Sequence, residues 1–328
     1  MLLDGVPALA ILALALLLDR VVGDPDWLWS RLPHPVVWFG RLIGWLDRRL
    51  NNATETPEQR RRSGRVALWL MIVLACVAGV VLWLVFRSLG PIGLVLEVVV
   101  VAIFLAQKSL ADHVAAVAMQ LTAGGLAAGR QAVSRIVGRD PETLDEAGVS
   151  RAAIESLAEN FSDGVVAPAL WYAVCGLPGL IIYKMLNTAD SMIGHKSERH
   201  LDFGRAAAIA DDWANWPAAR LSALLIVLAA LVRKGRGASL RAFRTARSDA
   251  RHHRSPNAGW PEAAMAGALD LSLAGPRVYG GVLVDEPMLH AGGRLKASPA
   301  AIQSALTLFR TACTIGLVLV VLTLVVLA

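Results

Sequence analysis

Acidic and amide side chains recur in this chain at spacings that would gather them on single helix faces. The densest stretch is Asn187-Thr188-Ala189-Asp190-Ser191-Met192-Ile193-Gly194-His195-Lys196-Ser197-Glu198-Arg199-His200. On a helix, Asn187, Asp190 and Ser191 stand at i, i+3 and i+4 and share one side. Their oxygens suit a hard cation such as Mg²⁺. Lys196 and Arg199 follow, as donors of the kind that hold phosphate. Gly194-His195-Lys196-Ser197 has the ending of a glycine-rich phosphate loop, but the upstream glycine and preceding strand are missing. The competing reading of this stretch is a solvated loop between helices.

A second stretch places Glu155 and Glu159 at i, i+4, followed by Asn160 and Asp163. Like charges so spaced repel mildly unless a cation, an arginine or water lies between them. A solvated acidic face is the plain alternative. The third is Asp211-Asp212-Trp213-Ala214-Asn215-Trp216-Pro217. Two carboxylates and an amide again suit a divalent cation shared with a substrate phosphate. The same residues would also suit a helix start at Pro217 with tryptophans at a membrane interface. The fourth runs from His252 to Glu262 through Ser255-Pro256-Asn257, with a helix expected near Pro261. Adjacent histidines on a helix diverge, so a metal shared by His252 and His253 is not expected. Arg247, Arg251 and Arg254 make this region cationic, for phosphate or simply for anionic lipid. His34-Pro35 closes a compact polar loop after Gly23-Asp24-Pro25, and Glu97 is an isolated carboxylate in an apolar run.

The elements that must position these residues are apolar. The chain is 55% hydrophobic and 18% charged, with mean hydropathy +0.53, against about 45–50% and about 25% in ordinary soluble domains. That composition excludes a disordered, a collagen-like or a simple DNA-binding chain. The excess is lumped. Val66–Phe86 and Thr311–Ala328 carry no charge, Pro91–Gln107 carries only Glu97, and Gly5 to about Val22 is adequate for a span. Val165–Tyr183 contains Pro168, Gly176, Pro178 and Gly179, and Pro217–Val232 contains Arg220. The expectation is an all-α polytopic membrane protein with four clear spans and two short or broken segments. It would form one membrane domain, 1–328, with polar segments 20–65, 108–163, 184–216 and 233–310.

The first apolar stretch lacks a positive leader and is followed by Asp19-Arg20, so it reads as a retained helix. Cys76, Cys175 and Cys313 lie in apolar runs and read as small core residues. The net charge of +6 is explained by basic loops held at the cytoplasmic face, with no nucleic-acid partner. Six alternating spans would put both termini outside, and 108–163 and 184–216 on opposite sides. Re-entrant forms of the two broken segments would instead bring both to the cytoplasm.

Taken in order, the motifs resemble one family. Asp19-Arg20, Gly23-Asp24-Pro25, His34-Pro35-Val36 and Gly40 resemble its first signature. Glu155-Ser156, Glu159-Asn160, Asp163 and Ala167-Pro168 resemble its second. Asn187-Thr188, Asp190-Ser191-Met192, Gly194, Lys196, Glu198-Arg199, Phe203-Gly204, Asp211-Asp212 and Asn215 resemble its third. Ser255-Pro256-Asn257-Ala258-Gly259-Trp260-Pro261-Glu262 resembles its fourth, with Gly275-Pro276 and Tyr279 beyond. This is the adenosylcobinamide-phosphate synthase (CobD/CbiB) family of cobalamin biosynthesis. His195 stands where the family often has tyrosine, which weighs against an acid–base role for it.

The resemblance implies an inner-membrane ligase using ATP and Mg²⁺. Its substrates would be adenosylcobyric acid and (R)-1-amino-2-propanol or the O-phosphate of that amine. Other late cobalamin-pathway enzymes would be candidate partners beside the lipid bilayer. It implies Glu155, Glu159, Asp163, Asp190, Asp211 and Asp212 as catalytic acids, with Asp190, Asp211 and Asp212 on Mg²⁺. Lys196, Arg199 and Arg247 would hold phosphate, and His34, Asn160, Asn187, Ser191, Asn215 and Asn257 would contact substrate. Two other classes share some of these features. A membrane prenyltransferase would use the Asn/Asp motifs with Mg²⁺ and no ATP. A transporter would bury its charges along a midplane path with repeat symmetry.

Overall fold

The computed structural model describes residues 5–138, 140–279, 282–284 and 286–328. Nearly all regular structure is helical. The elements are α1 (Gly5–Val21), α2 (Asp26–Trp29), α3 (Pro35–Leu50), α4 (Pro57–Ser88), α5 (Pro91–Ile103), α6 (Gln107–Val133), α7 (Glu146–Phe161), α8 (Ala167–Ile193), α9 (Arg205–Lys234), α10 (Arg236–Asp249), α11 (Gly259–Leu269) and α12 (Pro299–Leu327). Short strands β1 (Leu273–Ala274) and β4 (Met288–Leu289) pair antiparallel, as do β2 (Arg277–Tyr279) and β3 (Val282–Val284).

Among the described residues, five helical stretches are long and apolar enough to cross a membrane: Pro57–Ser88, Pro91–Val133, Glu146–Ile193, Arg205–Lys234 and Pro299–Leu327. The protein is therefore an all-α polytopic membrane protein, as its composition predicts. Each apolar stretch read from the sequence falls in a helix. α1 is described from Gly5 over 17 residues, about 26 Å of helix, at the lower end of the length a span uses. The segment 217–232 is not broken. α9 runs unbroken from Arg205, with Pro217 inside it rather than at its start. Within a membrane bundle, neighbouring groups compensate the one backbone bond that an interior proline removes. The segment 165–183 does break, at Gly176 (φ 64°, ψ −154°). Pro178 then falls in the first turn of the second helical piece, where its missing N–H costs nothing.

The chain forms two compact units. The first comprises 1–106, 167–215 and 320–328. In it α4 packs along α8 through its buried stripe of Ala67, Met71, Ala75 and Gly79, one residue every four. A Cβ on Gly79 would lie 2.5 Å from the Pro178 Cα, and one on Gly64 would lie 2.0 Å from the Phe203 carbonyl oxygen. Glycine therefore permits both close approaches. The opposite face of α4 exposes Trp69, Val73, Val77, Val81 and Leu84, as a lipid-facing surface should. α4 starts on a capping box in which Thr56 and Gln59 satisfy each other's backbone N–H groups.

The second unit comprises 107–166 and 216–319. α7 is buried from Ala152 through Ala158, and α11 from Pro261 through Leu269. α10 lies against α11 so closely that a Cβ on Gly267 would meet the Ala242 Cα at 2.8 Å. Phe161 and Phe309 stack edge to face at 5.4 Å. Cys76, Cys175 and Cys313 form no disulfide, and Cys313 is buried.

Candidate functional site

The second piece of α8 and the first turns of α9 bring the densest motif together with Asp211, Asp212 and Asn215. Residues 183, 187 and 190 of α8 lie one helical turn apart, as do 211 and 215 of α9. The Tyr183 hydroxyl donates to Asn215 Oδ1 at 2.8 Å. The Asn215 amide donates to Asp211 Oδ2 at 2.9 Å, and the Asn187 amide points at Asp211 Oδ1 from 3.4 Å. Asp211 and Asn215 are buried, whereas Asp190 and Asp212 are half-buried. The charge of Asp190 acts on both Asp211 and Asp212, and the His195 charge acts on Asp190. Three carboxylates thus share one electrostatic neighbourhood, with both oxygens of the central one facing an amide.

The loop after α8 is shaped by glycine. The Gly194 N–H donates to the Asp190 carbonyl at 2.8 Å, and a Cβ there would collide with Asp190 Oδ1 at 1.9 Å. A Cβ on Gly204 would meet the Ile193 carbonyl oxygen at 1.5 Å. Any larger residue would push the loop off the end of α8 and move Asp190. Lys196 is exposed on this loop. Ser191 bonds back to the Asn187 carbonyl at 2.9 Å.

Arg199 takes a structural position. Its Nη2 and Nε donate to Asp47 Oδ2 at 2.7 and 3.1 Å. Asn51 donates to Asp47 Oδ1 at 2.8 Å and to the Arg199 carbonyl at 3.0 Å, and Arg60 donates to that same carbonyl. Burial opposes the charge on Asp47, but hydrogen bonds from Asn51 and Arg199 and the charges of Arg199 and His200 hold its carboxyl below the usual range. The guanidinium that the sequence offered as a phosphate clamp is therefore a fork on a carboxylate, fastening the loop to α3.

His34 is the N-cap of α3. Its Nδ1 accepts from the Val36 N–H at 3.2 Å, which leaves the proton on Nε2, facing the Ile103 carbonyl at 3.2 Å. Burial holds the ring below the ordinary histidine value despite the nearby Asp24, and the Lys184 charge acts in the same direction.

The remaining candidates lie in the second unit. Glu155 is buried on α7 and accepts the Ala274 N–H at 2.8 Å, so it anchors β1. Glu159 and Asn160 are exposed, and Asn160 donates to the Ser156 carbonyl at 2.9 Å. Asp163 is half-buried in a π-helical turn, 162–166. Such turns cost regular hydrogen bonding and recur at functional positions. Asn257 is buried and accepts from Arg220 Nη1 at 2.9 Å. Arg220 also lies over the rings of Trp216 and Trp260 at 4.6 and 4.9 Å. Arg247 is exposed on α10. The sequence reading missed Tyr183 as a member of the Asp211 network. A tyrosine four residues before Asn187 was the available signal. It also missed the buried pair His253–Glu262, 3.7 Å apart.

Mg²⁺ was read from three aspartates. Among the described residues, no three His, Cys, Asp or Glu side chains assemble as a metal cage. A cage is not required, because Mg²⁺ is commonly held by one or two carboxylates with waters and substrate phosphates completing the shell. Asp190 and Asp212 fit that pattern, and a cation would relieve the repulsion among the three carboxylates.

Comparison with known proteins places the chain. A family model described as CobD/Cbib protein matches residues 12–309. A Sinorhizobium sp protein called cobalamin biosynthesis protein CobD is 62% identical over 94% of this chain and 95% of its own length. Proteins of the same name from Rhizobium meliloti (strain 1021) and Rhodobacter capsulatus are 61% and 46% identical, over 94% and 95% of this chain and 94% and 96% of theirs. No solved structure matches the chain.

Proposed function

The chain belongs to the CobD/Cbib protein family, and on that premise we propose that it serves cobalamin biosynthesis as an ATP-dependent acid–amine ligase of the bacterial inner membrane. The reaction joins the free propionate of adenosylcobyric acid to the amine of (R)-1-amino-2-propanol or its O-phosphate. ATP transfers its γ-phosphoryl group to the carboxylate, giving an acyl phosphate and ADP. The neutral amine attacks the acyl carbon, the amide C–N bond forms, and inorganic phosphate leaves with the C–O bond electrons. The amine proton passes to a base.

The observation that supports this reading is the carboxylate–amide cluster of Asp190, Asp211, Asp212, Asn187 and Asn215. Phosphoryl transfer is mostly positioning and charge compensation. Mg²⁺, when bound, would offset the negative charge of the phosphate groups, and Asp190 and Asp212 are the residues that would hold it. Asp211 is a positioning residue. Its two amide partners fix its carboxylate, and through the helices the spacing of its neighbours. Lys196, exposed on the loop that follows Asp190, is the candidate cation for the transferring phosphoryl group. Glu159 and Asp163 stay as candidate acids of the second unit, whereas Glu155 serves the fold.

The test is conversion of adenosylcobyric acid by the purified protein with Mg²⁺, ATP and each amine in turn. Amide product with stoichiometric ADP supports the ligase. Product without ATP, or transfer from an isoprenoid diphosphate instead, rejects it. The two amines, assayed side by side, decide which form is the substrate.

A further inference from the structure

The first unit contains a cavity of about 540 Å³ between the starts of α4 and α9, within the range of small-molecule sites. We propose that this cleft binds an anionic phospholipid, headgroup at its mouth and acyl chain along its wall. Arg61, Arg65 and Arg205 line it at one end, together with Asp202. Asp202 takes Arg61 at 2.7 Å. Three guanidinium groups against one carboxylate leave the mouth at +2. Arg65 and Arg205 are exposed, so they can meet a phosphate diester.

The wall is apolar. Leu68, Trp69, Ile72 and Ile209 line it. Trp69 and Ile209 are 66% and 46% exposed, apolar surface that an acyl chain would cover. Along α4 the lining runs from Arg61 and Arg65 into Leu68, Trp69 and Ile72, and α9 adds Arg205, Ala206, Ile209 and Ala210. Ile72 lies about 10 Å beyond Arg65 along α4, comparable to the step from headgroup level to hydrocarbon in a bilayer. Tryptophan at that level is the usual interfacial anchor. A soluble phosphate would use the mouth and leave the wall unoccupied. A phospholipid with a net negative headgroup uses both. None of these residues belongs to the Asp190–Asp211–Asp212 cluster, so the inference stands apart from the ligase reading.

Tryptophan quenching tests it. Full-length protein in detergent is titrated with mixed micelles carrying phosphatidylglycerol with brominated acyl chains, and in parallel with brominated phosphatidylcholine. The Trp69 signal is the difference between the protein and Trp69→Phe. The expected result is half-quenching at a phosphatidylglycerol concentration on the order of tenfold lower than for phosphatidylcholine, as two net charges near an anionic headgroup imply. That preference should vanish in the Arg65→Gln/Arg205→Gln double variant and persist in the Arg65→Lys/Arg205→Lys control. Excess inorganic phosphate should leave it in place. Equal quenching by both lipids, retention of the preference in the glutamine variant, or displacement by inorganic phosphate would each overturn the proposal.

Discussion

Asp211 accepts from two amide groups, so its carboxylate cannot become an amide without turning an acceptor into a donor. Asp211→Asn should therefore cost stability on the order of 1–3 kcal/mol, the price of a buried polar mismatch. Asp212→Asn, half-buried, should cost less. Thermal unfolding of the two variants in detergent checks the order, and equal losses would remove Asp211 from its positioning role. Asp190→Asn addresses the chemistry instead. It should abolish amide formation while membrane insertion and folding stay normal. Near-normal turnover in that variant would take Asp190 out of the site. These residues were legible as types and spacings. What the sequence left open was direction. Glu155 and Asp190 looked alike on paper, yet one anchors β1 and the other sits in a shared acidic neighbourhood. The difference arises because a backbone N–H brought near from residue 274 is invisible at residue 155.

At the level of elements, close helix approach rests on single glycines. Gly64→Ala improves intrinsic helix propensity but drives a methyl into the Phe203 carbonyl at 2.0 Å. The clash should dominate, with a loss on the order of 1–3 kcal/mol. Gly138→Ala, with nothing within 4 Å of the added atom, should fall within about 0.5 kcal/mol of the parent. Comparing the two by thermal unfolding isolates the cost of the close contact. The loop between α8 and α9 carries a second dependence. Asp47, on α3, has its carboxyl held below the usual range in the fold. Its contribution to stability is therefore fully present above the ordinary carboxylate value and is lost as pH falls through the lowered one. Asp47→Asn should lower stability at neutral pH and flatten the acid limb of the stability curve. An unchanged acid limb would mean the Arg199 fork does not hold the loop.

For the molecule as a whole, the sidedness of the 194–204 loop decides whether ATP can reach the Asp190 cluster. The natural thiols Cys76, Cys175 and Cys313 form no disulfide, so each is replaced by alanine before Ser197→Cys is introduced. In intact cells the new thiol should resist an impermeant reagent, and it should react once the inner face is opened. Labelling in intact cells would put the loop outside and remove ATP from the proposed reaction at this cluster.

The sequence by itself determined the solvent of this protein and the class of its fold. Uninterrupted apolar runs such as Val66–Phe86 are too long and too uniformly apolar for the strands of a closed barrel, so in lipid they satisfy their backbone as helix, and that argument needs no partner. It also fixed the break at Gly176-Leu177-Pro178, because those residues carry their conformational limits with them. The identity of the groups around each acid was decided only in three dimensions. Pro217 was read as a helix start from its local neighbours, yet α9 passes through it, because membrane packing outweighs one lost backbone bond. Arg199 was read as a phosphate clamp, yet Asp47, 152 positions away in the chain, takes it. Contacts of such separation are set by how helices pack, and packing depends on small residues at close approaches such as Gly64, Gly79 and Gly204, which look ordinary until their neighbours are in place.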